Sequence, residues 1–176
     1  MTAQRFFAGL TGNENDFRLV AAALTANGKP FCLIGGLAVN HYVEPVVTLD
    51  AGFAISTGAG VADALKSRGF VVEEHPHSLN ATLPGSRLRV QLTLNDRYGM
   101  FPSRAVKADI FGVELPVAAL PDLVQGKLWA LADPARRPSK KLKDKADLVR
   151  ICESHPEIVA QIPAGLIAEV DAMRKA

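Results

Sequence analysis

The stretch FCLIGGLAVNHYVEPVVTLDAGFAIS, from Phe31 to Ser56, decides the fold of this chain. Its first apolar run, Phe31–Ile34, predicts a short buried strand that ends at the glycine pair Gly35-Gly36. A helix-like segment follows, and residues 51–56 predict a second strand with Asp50 at its start. A strand, a glycine turn, a helix and another strand are typical of the beginning of an α/β domain.

This order of elements also indicates a chemistry. A glycine pair between a strand and a helix lets backbone N–H groups approach a ligand closely, and the helix N-terminus behind it favours an anion. An acidic residue that enters the next strand, as Asp50 does, is placed to hold a divalent cation beside that anion. We therefore expect phosphate and metal chemistry at this point of the chain.

These residues resemble the signature of the nucleotidyltransferase superfamily, in which a strand, Gly-Gly or Gly-Ser, a helix and a T-x-D-x-D strand form the active site. The matching residues here are Gly35, Gly36, Asn40, Thr48 and Asp50. The resemblance implies that the first four contact a nucleotide and that Asp50 binds Mg²⁺. The chain departs from the signature at Gly52, which stands where the second aspartate is usual.

The segment RLRVQLTL, residues 87–94, alternates between apolar and polar side chains, which predicts a half-buried strand. The resemblance implies that this strand lies beside the strand at 51–56. The superfamily commonly takes a third metal-binding carboxylate from this strand, and the nearest equivalent here is the neutral amide of Gln91. The resemblance therefore implies a degenerate metal site. Residues 74–80, between this strand and the one expected at 70–73, read as a polar connection.

Two charged helices are predicted in the second half of the chain. The first begins at Pro121, and Lys127 lies in the middle of its apolar stripe. Either the stem of Lys127 packs while its ammonium reaches water, or the ammonium lies at a cleft to meet phosphates. The second helix begins near Ser139 and carries Asp144 and Asp147, each four residues after a lysine. Such spacing is typical of a solvated ionic face.

The same two helices are similar to the helical end of a branch of the superfamily that contains nucleotidyltransferase-type toxins of abortive-infection and toxin–antitoxin systems. The pairs that match are Asp122-Leu123, Lys127-Leu128, Ala130-Leu131, Lys143-Asp144 and Asp147-Leu148. This resemblance implies catalytic roles for Asp50, Lys127 and Asp147. It also implies nucleotide contacts from Lys127, Lys143 and Asp144.

Three functions follow as hypotheses. The first is a protein that binds a nucleoside triphosphate with Mg²⁺, or an RNA end, with weak or lost transfer activity. The second is an active enzyme that transfers a nucleoside monophosphate to RNA or protein. The third is a non-catalytic module that binds an antitoxin-like partner protein. The missing carboxylates at Gly52 and Gln91 favour the first hypothesis over the second.

Composition sets the remaining bounds. A chain of 176 residues is expected to form one domain, 1–176, with a nucleotidyltransferase-like core at 28–117 and a helical extension at 118–176. A net charge of +2 is too small to indicate nucleic-acid binding by itself. No segment approaches the length of a membrane span, so we expect a cytoplasmic protein with no membrane partner. Cys32 and Cys152 are expected to be reduced core thiols.

Overall fold

The computed structural model describes residues 15–174, which form a mixed seven-stranded sheet with helices packed on it. The strands are β1 (Phe31–Ile34), β2 (Asp50–Ile55), β3 (Val71–His75), β4 (Ser78–Thr82), β5 (Arg89–Thr93), β6 (Val106–Ile110) and β7 (Val113–Val117). The helices are α1 (Asp16–Asn27), α2 (Gly35–Tyr42), α3 (Val61–Lys66), α4 (Phe101–Arg104), α5 (Leu120–Ala132), α6 (Pro138–Ser154) and α7 (Ala164–Arg174). Short 3-10 turns occur at Asp96–Tyr98 and Pro156–Gln161. The predicted α/β fold with a helical C-terminal part is confirmed.

The sheet has the strand order β3-β4-β5-β2-β1-β7-β6, with the first two strands of the chain at its centre. β2 pairs with β1 in antiparallel orientation and with β5 in parallel orientation, so the alternating strand lies where the sequence predicts it. The register sets Gly52 opposite Ile34 on one side and opposite Gln91 on the other. This pairing brings the two positions that lack a carboxylate side by side.

The two faces of β2 have different roles because side chains alternate along a strand. Ala51, Phe53 and Ile55 are buried on one face, where the ring of Phe17 from α1 stacks on Phe53 with centroids 6.3 Å apart. Asp50 and Gly52 lie on the opposite face. The apolar face thus anchors the strand and leaves the other face available for a site.

Helices α5 and α6 pack on each other and on α2, close to the glycine turn. Apolar side chains are buried where the helices meet: Leu123 and Val124 of α5, and Leu148 and Ile151 of α6. Removing this apolar area from water stabilises the packing. The contact places the polar side chains of α5 and α6 beside the polar face of β2. None of the helices in the described range is both long and apolar enough to cross a bilayer.

The expected polar connection at residues 74–80 is wrong. β3 continues through His75 and β4 starts at Ser78, so only Pro76 and His77 form the turn of a hairpin. β3 is an edge strand whose side chains are mostly exposed, and its backbone pairs with β4 without any need for apolar residues. Strand β4 was not predicted because only Leu79 and Ala81 of its five residues are apolar, too few for a clear alternation.

Candidate functional site

A cleft of about 270 Å³ lies between the polar face of β2, the start of α2 and the helices α5 and α6. The predicted site residues that line this cleft are Gly35, Gly36, Thr48, Asp50, Lys127, Lys143 and Asp144. Gly52 and Gln91 line it as well, which confirms that they share a face with Asp50. Asn40 and Asp147, the other two predicted site residues, are outside this lining.

The glycine turn forms one end of the cleft. Gly35 has a φ angle of +74°, in the left-handed region where a side chain is disfavoured, and this conformation joins β1 directly to α2. A Cβ atom on Gly35 would meet nothing within 4 Å, so the space beside the turn is open. A Cβ on Gly36 would lie 3.6 Å from Thr48 Oγ1. The first turn of α2 therefore opens on the cleft next to Thr48.

Asp50 is held between two cations of the protein itself. Arg89 Nε lies 2.7 Å from Oδ1, and Lys140 Nζ lies 2.7 Å from Oδ2. Burial alone would raise the pKa of Asp50, but the hydrogen bond from Lys140 and the positive charges of Lys140, Arg89 and Lys143 outweigh burial and lower it. The carboxylate is therefore ionised at neutral pH, and both of its oxygens have a cationic partner.

The residues present do not fit a resident divalent cation. Mg²⁺ takes oxygen ligands and is usually held in proteins by carboxylates. Gly52 offers none, and Gln91 offers an amide, so Asp50 is left as the carboxylate of this part of the cleft. Within residues 15–174, no cluster of three or more His, Cys, Asp or Glu side chains is placed to bind a metal. The role of Asp50 as a metal ligand stays a prediction.

Lys143 extends from α6 toward β2. Its Nζ donates a hydrogen bond to Thr48 Oγ1 at 3.2 Å, and across the described residues it forms no ion pair with a carboxylate. Partial burial, together with the nearby charges of Lys140 and Lys127, lowers the pKa of Lys143 against the attraction of Asp50 and Asp147. An anion that approaches Lys143 would therefore stabilise its charged ammonium form.

A second group of charges lies where α5 packs on α6, and three of its members line the cleft. Lys127 Nζ donates to Asp144 Oδ1 at 2.9 Å and to Asp147 Oδ2 at 2.6 Å, and all three residues are buried. Arg136 Nε donates to the other oxygen of Asp144, and Arg150 Nη1 donates to the other oxygen of Asp147. We call these five residues the inner cluster. Asp50, Arg89, Lys140 and Lys143 form the outer cluster.

The expectation of a solvated ionic face on α6 is wrong for its two aspartates. Asp144 and Asp147 are each 2% exposed, and their partners are Lys127 of α5 and two arginines, not the lysines four residues before them. The aspartates lie on the side of α6 that packs on α5, so a cation from α5 reaches them first. Lys140 and Lys143 are then free to extend toward β2.

Asn40 has a supporting position. Its Nδ2 donates to the Val46 carbonyl at 2.7 Å, and its Oδ1 accepts from the Val46 amide at 3.1 Å and from Arg150 Nη2 at 3.0 Å. Arg150 also donates to the Glu44 carbonyl. Asn40 thus holds the loop between α2 and β2 in place, just before Thr48.

Sequence reasoning did not single out three charged residues of the site. Arg89 lies two residues before Gln91 on the polar face of β5, so the alternation that identified Gln91 also marks Arg89. Lys140 lies four residues before Asp144, a spacing that predicts a pair within the helix, and Arg136 lies in a segment rich in proline and arginine. Their contacts span separate elements and left no periodic signal.

Comparison with known proteins adds the fold relationship. The sequence matches no protein-family model and no curated protein. The structure is similar to the antibiotic-resistance factor ANT(2'')-Ia in solution, with a TM-score of 0.58 over 90% of this chain and 93% of that chain at 15% identity. The crystal structure of ANT(2'')-Ia with adenylyl-2''-tobramycin gives a TM-score of 0.55 over 91% and 97% at 16% identity.

Two further structures agree. The lincosamide antibiotic adenylyltransferase LnuA, with lincomycin bound, gives a TM-score of 0.52 over 77% of this chain and 96% of that chain at 13% identity. JHP933 from Helicobacter pylori gives 0.55 over 89% and 69% at 15% identity. At these identities the likeness concerns the fold and not the activity. The chain has the nucleotidyltransferase fold.

Proposed function

We propose that this protein binds a nucleotide in the cleft, with its phosphates between the first turn of α2 and the lysines of α6, and that its transfer activity is weak or lost. One observation carries the proposal. The Gly35-Gly36 turn lines the same cleft as Lys140 and Lys143, which lie far away in sequence, and the chain has the nucleotidyltransferase fold.

The chemistry of the cleft supports a phosphate ligand. A helix start preceded by glycine favours an anion, and lysine ammonium groups bind phosphate as point charges. Thr48 adds a hydroxyl beside Lys143, and this hydroxyl can donate a hydrogen bond to a phosphate oxygen. A cleft that offers all three groups is suited to a nucleoside triphosphate.

The relatives in fold support a nucleotide in particular. ANT(2'')-Ia has been solved with an adenylyl group joined to tobramycin, and LnuA is an adenylyltransferase solved with lincomycin. Both proteins therefore handle a nucleotide-derived group together with a small acceptor. By analogy, a nucleoside triphosphate is the ligand that we propose for this chain.

Weak transfer follows from the missing carboxylates. Nucleotidyl transfer develops charge on the attacking and leaving oxygens, and metal ions held by carboxylates commonly balance it. The loss of one preorganised electrostatic group typically costs about 10²–10³ in rate, and Gly52 and Gln91 each stand where such a group is usual. We therefore propose binding as the main activity.

An active enzyme is the second candidate. The observation in its favour is that Asp50 is held ionised in a cleft that Lys127, also proposed as catalytic, lines as well. Asp147, the third residue proposed as catalytic, accepts a hydrogen bond from Lys127. An RNA or protein acceptor, and an antitoxin-like partner, are proposals that rest on the resemblance of the sequence. Mg²⁺ held by Asp50 belongs to this second candidate alone, and it can be tested in the same assays.

Thermal unfolding of the whole chain with ATP, GTP, CTP or UTP tests the proposal. A ligand at about 100 times its dissociation constant stabilises the folded state by about 2.7 kcal/mol, so at least one triphosphate should raise Tm clearly. Lys143→Met should lose this rise, whereas Lys107→Met, at an exposed lysine on β6, should keep it. If none of the four triphosphates shifts Tm, the proposal is wrong. Fast transfer from a triphosphate labelled at its α-phosphate would favour the second candidate.

A further inference from the structure

The outer cluster has an ammonium group in direct contact with the carboxylate that the sequence assigns to a metal ion. Lys140 Nζ lies 2.7 Å from Asp50 Oδ2, and Arg89 Nε lies 2.7 Å from Oδ1. Lys140 and Asp50 are both only partly exposed, each at 32% of the side chain, so this contact is at the wall of the cleft and not in bulk solvent. Positive charge is thus already present beside Asp50.

The charge of the whole cleft is also unlike that of a metal site. Four cationic side chains line it, Lys127, Arg136, Lys140 and Lys143, against the two carboxylates of Asp50 and Asp144. A divalent cation would enter a space that already has an excess of positive charge, and its approach would be opposed. An oligophosphate is negatively charged, so the same excess of positive charge would attract it.

The four cations of the cleft are not equally available to bind a ligand, because some already have carboxylate partners. Lys127 and Arg136 are engaged by Asp144 in the inner cluster, at 2.9 and 2.6 Å. Lys143 has a neutral partner, Thr48, and Lys140 shares Asp50 with Arg89. If a phosphate draws Lys140 toward the cleft, Arg89 still balances the charge of Asp50. Lys140 and Lys143 are therefore the cations that can turn to a ligand.

We infer that this cleft binds the phosphates of its ligand directly through Lys140 and Lys143, without a divalent cation, and that the ammonium of Lys140 takes the place of a metal ion beside Asp50. The inference rests on the proposed nucleotide function and specifies its binding mode. In this arrangement Asp50 is the ion-pair partner of Lys140, and it contributes no attraction for phosphate. An anion beside a phosphate site opposes binding electrostatically.

The first experiment is isothermal titration calorimetry of the whole chain with ATP and with inorganic triphosphate, each in excess EDTA and in Mg²⁺. ATP should bind at least as tightly in EDTA as in Mg²⁺, because a Mg²⁺ ion bound to ATP neutralises negative charge that would otherwise attract the lysines. Binding of ATP only in Mg²⁺ would overturn the inference and leave the proposed function intact. Binding of triphosphate but not of ATP would support the inference and overturn the proposed nucleotide function. If neither binds in either condition, both are wrong.

The second experiment compares variants in EDTA, where the two binding modes predict opposite results. Lys140→Met should weaken ATP binding roughly tenfold or more, since it removes a charge-assisted contact. Asp50→Asn should increase ATP affinity, because an opposing charge is lost. Lys107→Met, far away on β6, is the matched control and should bind like the wild type. A loss of binding in Asp50→Asn with no loss in Lys140→Met would overturn the inference. Tm without ligand shows that each variant is folded.

Discussion

Helix α6 contributes to two ionic clusters that differ in burial and in charge balance. In the inner cluster, Asp144 and Asp147 are 2% exposed and every carboxylate oxygen accepts from a cation. In the outer cluster, three cations surround the single carboxylate of Asp50, and their side chains are partly exposed. The buried, fully paired cluster fastens α6 to α5, whereas the open one keeps positive charge available. Burial, and not residue type, separates structural charges from those that can bind a ligand.

The largest expected effect is on stability, and two matched lysine variants measure it. Lys127→Met leaves Asp144 and Asp147 buried with one partner fewer, and the loss of one member of a buried ionic cluster typically costs about 3–5 kcal/mol. Lys140→Met makes the same chemical change at a partly exposed pair, where about 1 kcal/mol or less is expected. Urea denaturation gives both free energies of unfolding. Equal losses would show that the two clusters do not differ.

The next largest effect is expected at Asn40, which connects Arg150 of the inner cluster to the loop before Thr48. Asn40→Ala removes two hydrogen bonds to Val46 and one from Arg150, which should lower the free energy of unfolding by about 1–3 kcal/mol. Amide hydrogen exchange at Val46 should become faster. The matched control is Asn80→Ala, because among the described residues the side chain of Asn80 forms one hydrogen bond, with the exposed His75. The control should change stability by about 0.5 kcal/mol or less.

The pH dependence of ATP binding tests whether the charge of Lys143, in the outer cluster, contributes to affinity. Burial lowers the pKa of Lys143 below its ordinary value of 10.5, so this ammonium loses its proton at lower pH than a surface lysine does. Affinity for ATP should therefore fall as the pH rises from about 7 to about 10. Asp50 has a lowered pKa and stays ionised throughout that range, so it adds no change of its own. Lys143→Arg should flatten the profile, because arginine remains protonated. Identical profiles for both proteins would exclude Lys143 as the titrating group.

The smallest effect on folding is expected at Gly52. A Cβ there would lie 3.4 Å from Ile34 Cγ1 and 3.4 Å from the Ile34 carbonyl oxygen, at the lower limit of ordinary contact, so Gly52→Asp should cost about 1 kcal/mol or less. The new carboxylate would share a face with Asp50 and should make ATP binding stronger in Mg²⁺ than in EDTA. Gly52→Asn is the control of equal size without the charge. If the Gly52→Asp variant binds ATP equally well with and without Mg²⁺, position 52 is not a lost metal position.

Local pattern was sufficient to predict much of the fold. The apolar run, the glycine pair and the second strand predicted β1, α2 and β2, and the alternation at residues 87–94 predicted β5. The place of β5 beside β2 was implied by the resemblance and is confirmed by the pairing. These signals survive in the sequence because each depends on a repeat of two or 3.6 residues within one element. Strand β4 was missed because its only apolar residues, Leu79 and Ala81, are too few to give a clear repeat.

By itself, then, the sequence determined the strand order around the glycine turn and which positions share the polar face of β2. Only the tertiary structure decided which charges pair. The spacing of Lys140, Lys143, Asp144 and Asp147 permits pairs within α6, but packing against α5 buries the aspartates and gives them Lys127. A charge selects its partner by distance and by dielectric environment, and both are set by contacts between elements far apart in sequence. That is the physical reason why the outer cluster became visible only in the folded chain.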